Sequence, residues 1–112
     1  MPYLNIQTNL PRLKKTDILK HASALVATEL DKPEEFVMVA LEADTPMLFA
    51  GSDDPVAFLE LKSIGLPGGK TKKLSAALCA LIEQHLGIPK ERVYVKFIDV
   101  QRSMWGWKGD VF

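Results

Sequence analysis

Apolar residues recur along this chain in two rhythms. Ile18, Ala22, Leu25, Val26 and Leu30 repeat at the spacing of one helical face, which predicts a helix from about Leu13 to Leu30. Thr16-Asp17 supplies a cap signal, and Asp31-Lys32-Pro33 ends the helix because the residue before a proline is pushed out of the α region. A second helix is predicted from Lys72 to Leu86, closed by Gly87-Ile88-Pro89 with glycine in the favoured C-terminal position. The shorter runs read as strands. Tyr3 to Gln7 carries Leu4 and Ile6 on one face. Phe36-Val37-Met38-Val39-Ala40-Leu41 is unbroken and too short for a helix, so it reads as a central strand buried on both faces. Val56 to Lys62 and Val93 to Asp99 are two further strands, with a short one expected over Leu48-Phe49-Ala50. A short aromatic tail runs from Trp105-Gly106-Trp107 to Phe112.

A shift of 56 residues lays the chain on itself: Ile18 falls on Leu74, Ala22 on Leu78, Val26 on Ile82, Leu30 on Leu86, Pro33 on Pro89 and Val37 on Val93. Any two amphipathic helices share spacing, but coincident prolines and strand onsets do not follow from that. The chain therefore reads as two copies of a β-α-β unit, approximately 1–56 and 57–112, in a single domain. Right-handed crossovers then give a four-stranded mixed sheet with both helices on one face, an α/β (α+β) fold. The strands read as apolar on both sides, so the bare face needs a cover, and another copy of the chain is the expected one.

Composition narrows the function classes. The 112 residues are 47% hydrophobic and 25% charged, enough apolar material for one core. Lys plus Arg equals Asp plus Glu at 14 each, so nothing advertises a nucleic-acid partner or an anionic membrane. No apolar run is long enough to span a membrane, and no signal peptide opens the chain, so a cytoplasmic location is expected, with export only by another route. The single Cys79 forbids an internal disulfide and reads as a small buried hydrophobe. His21 and His85 lie on helices without a second ligand at metal spacing, so no metal site is expected.

The first residues carry candidate chemistry. Removal of Met1 would leave Pro2 with a secondary amine, which is a base, where the peptide nitrogen is not. Desolvation and a nearby cation both lower the pKa of such an amine toward neutrality, which suits proton abstraction beside a carbonyl. An ordinary translation start explains Met-Pro equally well until the rest of the chain is considered.

Pro2, the two β-α-β halves and the demand for an oligomer together resemble the macrophage migration inhibitory factor family of the tautomerase superfamily. The matching segments are Thr8-Asn9-Leu10-Pro11-Arg12, Lys32-Pro33, Phe49-Ala50-Gly51-Ser52, Ser63-Ile64-Gly65 with Gly68-Gly69, Arg92-Val93-Tyr94, and Gly106-Trp107 near Phe112. Each alone is weak, but they run from end to end. The resemblance implies a homotrimer whose sheets surround a central channel. It also implies keto–enol tautomerase activity on phenylpyruvate-like acids and dopachrome-like compounds, with no metal or organic cofactor.

By the same resemblance Pro2 is the catalytic base and Lys32 the cation for a substrate carboxylate. Ser63 and Ile64 line the pocket, where the Ile64 amide meets substrate oxygens, and Gly68-Gly69 lets backbone approach closely. Tyr94 comes from the neighbouring subunit, and Tyr3, Val100, Trp105, Trp107 and Phe112 build an apolar wall for an aromatic keto acid. Lys32 is otherwise a solvated turn lysine, the glycines a plain turn, and the aromatic residues core. Two positions depart from the pattern. Lys96 stands where the best-known members have asparagine; it brings a charge that could anchor a second carboxylate or fill the pocket. Val56 and Leu59 stand where some animal members carry a Cys-x-x-Cys pair, so thiol redox chemistry through that motif is excluded. The competing reading is a cytokine-like interaction protein of the same fold, with a receptor as partner if exported and a vestigial pocket. A dehalogenase or decarboxylase run from the same proline is weaker, because no extra arginine is seen at the pocket positions.

Overall fold

The computed structural model describes residues 1–12 and 16–112. Four strands form a mixed sheet in the order β2-β1-β3-β4, where β1 is Tyr3–Thr8, β2 Met38–Glu42, β3 Ala57–Ile64 and β4 Val93–Val100. Helix α1 (Thr16–Leu30) joins β1 to β2, and α2 (Thr71–Leu86) joins β3 to β4. Each of these strand pairs is parallel, and β1 meets β3 antiparallel at the centre. The two β-α-β units are thus joined through their first strands. The expected start of the first helix near Leu13 lies outside the described residues, as does the Thr16 side chain.

The helical spacing packs as expected. Ile18, Ala22, Val26 and Leu30 of α1 and Leu74, Leu78, Leu81, Ile82 and Leu86 of α2 are buried in one cluster with Leu4, Ile6, Leu59 and Leu61. His21 and His85, exposed and half-buried, set their rings 4.5 Å apart where the two helices meet. Pro33 and Pro89 each precede a single 3-10 turn, Glu34–Phe36 and Lys90–Arg92, before β2 and β4. Gly87 closes α2 at φ 69°, donating its N–H to the Glu83 carbonyl. The end of α1 reaches the same left-handed geometry without glycine. Asp31 sits at φ 53°, Asp31 N–H donates to Thr28 O at 3.3 Å, and Lys32 N–H donates to Ala27 O at 3.0 Å. That pair of bonds is a Schellman motif, and it fixes where Lys32 leaves the helix.

Three strand expectations need correction. Phe36-Leu41 is not a central strand: Phe36 ends a 3-10 turn, and β2 lies at one edge of the sheet. The run looked doubly buried because Val39 and Leu41 pack on the core while Met38 and Ala40 are simply apolar on the other face. Leu48-Phe49-Ala50 forms no strand, only a bridge between Phe49 and Ser52 around a tight turn. The second face of the sheet is mixed, not uniformly apolar. Asn5 and Gln7 share Glu42 through bonds of 2.9 and 3.3 Å, and Glu60, Lys62 and Lys96 lie on that face beside Tyr3, Phe58 and Tyr94. Strand β3 alternates strictly, and Ala57-Phe58-Leu59 happened to place an apolar residue on each side.

After β4 the chain makes a 3-10 turn at Arg102–Met104 and a small hairpin of β5 (Gly106–Trp107) and β6 (Asp110–Val111). Lys108 and Gly109 take positive φ at its tip, the pattern of a tight hairpin turn. The Trp107 ring stacks on Phe112 at 5.5 Å and meets Phe36 edge-on at 5.5 Å. The tail therefore leaves the β4 edge and reaches the entrance of β2 at the opposite edge. It spans the end of the sheet where the chain begins.

Candidate active site

That end of the sheet gathers the start of β1, the exit of α1 and the exits of β3 and β4. Pro2 is fully buried, and its carbonyl accepts from Met38 N–H at 3.0 Å. Tyr3 pairs with Lys62 as the last pair of β1 with β3, so Pro2 lies at the end of the sheet where Ser63-Ile64 leave β3. Lys32, delivered by the Schellman motif, donates from Nζ to Ile64 O at 3.3 Å. Lys32, Ile64, Gly65, Val100 and Arg102 line one open cleft of about 730 Å³.

The electrostatics bear on the terminal amine. Burial lowers the pKa of the Met1 amine below its ordinary value, and the positive charge of Lys32 lowers it further. Both causes disfavour the ammonium form, so a base at this terminus is available at lower pH than an ordinary chain terminus. Pro2, the next residue, is fully buried and is not among the residues that line the Lys32 cleft.

The other expected residues divide. Ile64 and Val100 line the cleft with Lys32. Trp107 and Phe112 line an adjoining cleft of about 410 Å³. Trp105 is half-buried and accepts the Phe112 N–H at 3.1 Å, which ties down the tail. Ser63 does not line the cleft: it falls on the helix-facing side of β3, fully buried, with its hydroxyl donating to Ile64 O at 3.2 Å. Tyr3 lies on the opposite face, under Lys62 Nζ at 5.9 Å. Gly68 and Gly69 open a 3-10 turn leading into α2, and nothing lies within 4 Å of where their Cβ atoms would be.

Tyr94 and Lys96 stand apart from this cleft. Tyr94 pairs with Phe58 and lies six residues before Val100 along β4, a span of about 20 Å. Its side chain is 63% exposed, and Phe49 covers one side at 4.8 Å. Lys96, also exposed, pairs in register with Glu60. Neither lines the Lys32 cleft.

Sequence reasoning missed two residues. Phe36 anchors the tail through Trp107, although its place in an apolar run marked it as strand. Arg102 lines both clefts, and its position directly after β4 was the available signal. Among the described residues no group of three or more His, Cys, Asp or Glu side chains is placed to hold a metal. Cys79 is half-buried in a groove beside α2, and burial pushes its thiol up, outweighing the opposite effects of Ser75 and Lys90, so it is a poor nucleophile.

The chain is similar to known proteins over its full length. Residues 1–112 match the family model described as macrophage migration inhibitory factor. A macrophage migration inhibitory factor homolog of Brugia malayi is 40% identical, with 100% of this chain and 99% of that one covered. The crystal structure of a homologue from Prochlorococcus marinus superposes with a TM-score of 0.94 at 41% identity, covering 98% of each chain. The structure of the factor from Trichinella spiralis gives a TM-score of 0.94 at 35% identity, covering 98% of this chain and 99% of that one.

Proposed function

The chain belongs to the macrophage migration inhibitory factor family, and from that premise we propose that it is a cofactor-independent keto–enol tautomerase of phenylpyruvate-like or dopachrome-like compounds, with the Pro2 amine as base after Met1 is removed. The observation that carries this reading is the buried Pro2 at the same end of the sheet as Lys32, whose Nζ is held at Ile64 O; burial and Lys32 both lower the pKa of the Met1 amine there. In the proposed reaction the neutral amine takes the enol proton or the proton on the carbon next to the carbonyl. It returns that proton to the other atom of the same system. Carbon and oxygen exchange one proton, and no electrons enter or leave. Lys32 holds the substrate carboxylate and, after burial, adds to the preference for the neutral amine. The Ile64 backbone, Val100, Trp107 and Phe112 receive the rest of the substrate.

The working form in this proposal is a homotrimer. Its support is the separation of Tyr94 and Lys96 from the Lys32 cleft: both are exposed on the β4 edge, so they can join a site only if a neighbouring copy presents them. The cytoplasm is the proposed location.

The test is an ultraviolet assay of phenylpyruvate enol-to-keto conversion on protein whose Met1 removal is confirmed by mass, beside Pro2→Gly. Activity in the wild type that vanishes in the variant supports the proline base. Activity that survives Pro2→Gly discards it. No activity in correctly processed trimer turns the assignment to the cytokine-like interaction protein, with a receptor as its partner.

A further inference from the structure

Arg102 belongs to none of the segments that carry the family resemblance, yet it lines the Lys32 cleft and the aromatic cleft together with Trp107 and Phe112. Its Nε donates to the Phe112 carbonyl at 3.0 Å, which ties the guanidinium to the tail. Among the described residues, Nη1 and Nη2 have no hydrogen-bond partner and Arg102 has no ion pair. Asp99 lines the Lys32 cleft and Asp110 the aromatic one, each with one carboxylate oxygen taken by a backbone N–H and neither in an ion pair with Arg102. Asp99 Oδ1 accepts Leu66 N–H at 2.9 Å, and Asp110 Oδ1 accepts Val111 N–H at 2.8 Å. The cleft thus has two cations on different elements, Lys32 after α1 and Arg102 after β4. A guanidinium held at Nε, with its outer nitrogens uncommitted, has the fork that grips a carboxylate by two parallel bonds.

We propose that Arg102 is a specificity-determining residue that takes a second anionic group, so that the site prefers aromatic acids with two carboxylates over those with one. This rests on the tautomerase reading for the first carboxylate at Lys32 and deepens it by naming the substrate class. The aromatic body would lie toward Trp107 and Phe112, with one carboxylate at Lys32 and the other at the junction of the two clefts. A mono-acid leaves one of the two cations unpaired.

The test needs no turnover. Binding of phenylacetate and of 4-(carboxymethyl)benzoate is measured by tryptophan fluorescence and calorimetry, on Met1-free wild type, Arg102→Gln and Arg102→Lys. Wild type is expected to bind the dicarboxylate about tenfold more tightly, as a charge-assisted bidentate contact allows. Arg102→Gln should bring the ratio near one, and Arg102→Lys should keep part of it. Should the glutamine variant not fold, the lysine variant reads the same ratio, which is expected to fall about threefold because an ammonium cannot bind two oxygens in parallel. Absence of preference in wild type overturns the proposal, as does a ratio unchanged in both variants. Equal weakening of both acids also overturns it, because Arg102 would then hold the shared carboxylate or merely order the tail. Binding preference without enol-to-keto turnover leaves Arg102 its role and discards the tautomerase; turnover without preference does the reverse.

Discussion

Arg92 holds Phe49 in two ways. Its Nη1 donates to the Phe49 carbonyl at 3.1 Å, and its guanidinium carbon lies 5.3 Å from the centre of the Phe49 ring. The same side chain donates to the carbonyls of Pro55 at 2.9 Å, Ser52 at 3.1 Å and Asp54 at 3.0 Å. One guanidinium therefore satisfies the inner carbonyls of the loop between β2 and β3. Because Phe49 covers one side of Tyr94, Arg92 also sets where that tyrosine stands on the β4 edge.

Arg92→Lys keeps the charge but cannot reach four carbonyls from one ammonium. Stability should fall by about 1.5–3 kcal/mol, the range for hydrogen bonds to a charged group. Urea unfolding followed by fluorescence measures it. If Tyr94 completes a neighbour's site, the variant should also lose activity at temperatures where it remains folded.

The depressed pKa at the terminus sets a pH profile. Only the neutral amine is a base, so kcat/KM should rise with pH through the amine's pKa and then level off. Burial lowers the pKa of the Met1 amine and Lys32 lowers it further, so the same causes should place the rise for the Pro2 amine at lower pH than for an unburied N-terminal proline. Lys32→Gln removes a positive charge beside the ammonium, which favours the ammonium form and moves the pKa up. The rising limb should then shift to higher pH, and KM should increase as the carboxylate loses its cation. A limb that stays in place in Lys32→Gln would mean that burial alone sets the base.

Asp31 carries the left-handed position that ends α1, at φ 53°, where a Cβ is unfavourable. Asp31→Gly should stabilise the fold by about 0.5–1 kcal/mol, the relief of that strain less the extra freedom of the unfolded chain. Asp31→Val, branched at Cβ, should destabilise it and loosen Lys32. Chemical unfolding of both variants gives the stability change, and KM for a carboxylate substrate reports the effect on Lys32.

The local pattern was legible wherever covalent spacing decides the outcome. Helical periodicity identified the buried faces of α1 and α2 because side chains three and four apart share a face however the helix is later packed. Pro33, Pro89 and Gly87 marked their boundaries because they restrict the backbone of their own neighbourhood. The offset between the two halves revealed both crossovers, whereas a Pro2 amine beside the Lys32 cation was implied only by the family resemblance. The β2 run was misread because an apolar sequence does not say whether its second face is covered. Val39 and Leu41 meet the core, whereas Met38 faces away from it at the sheet's edge.

Long-range placement was decided only by the fold. Ser63 and Ile64 are adjacent in the chain, but the pleat turns the first toward the helices and leaves the second at the cleft. Tyr94 and Val100 share one strand, yet its length separates them by about 20 Å. Phe36 meets Trp107, and Arg102 shares a cleft with Lys32, only because strand register and the returning tail bring distant segments to one end of the sheet. Periodicity and backbone restriction act between near neighbours, so the sequence alone determined the elements and their inner faces. Which cations and rings share one cleft depends on how whole strands align and where the chain crosses, and that is set by the packed tertiary structure.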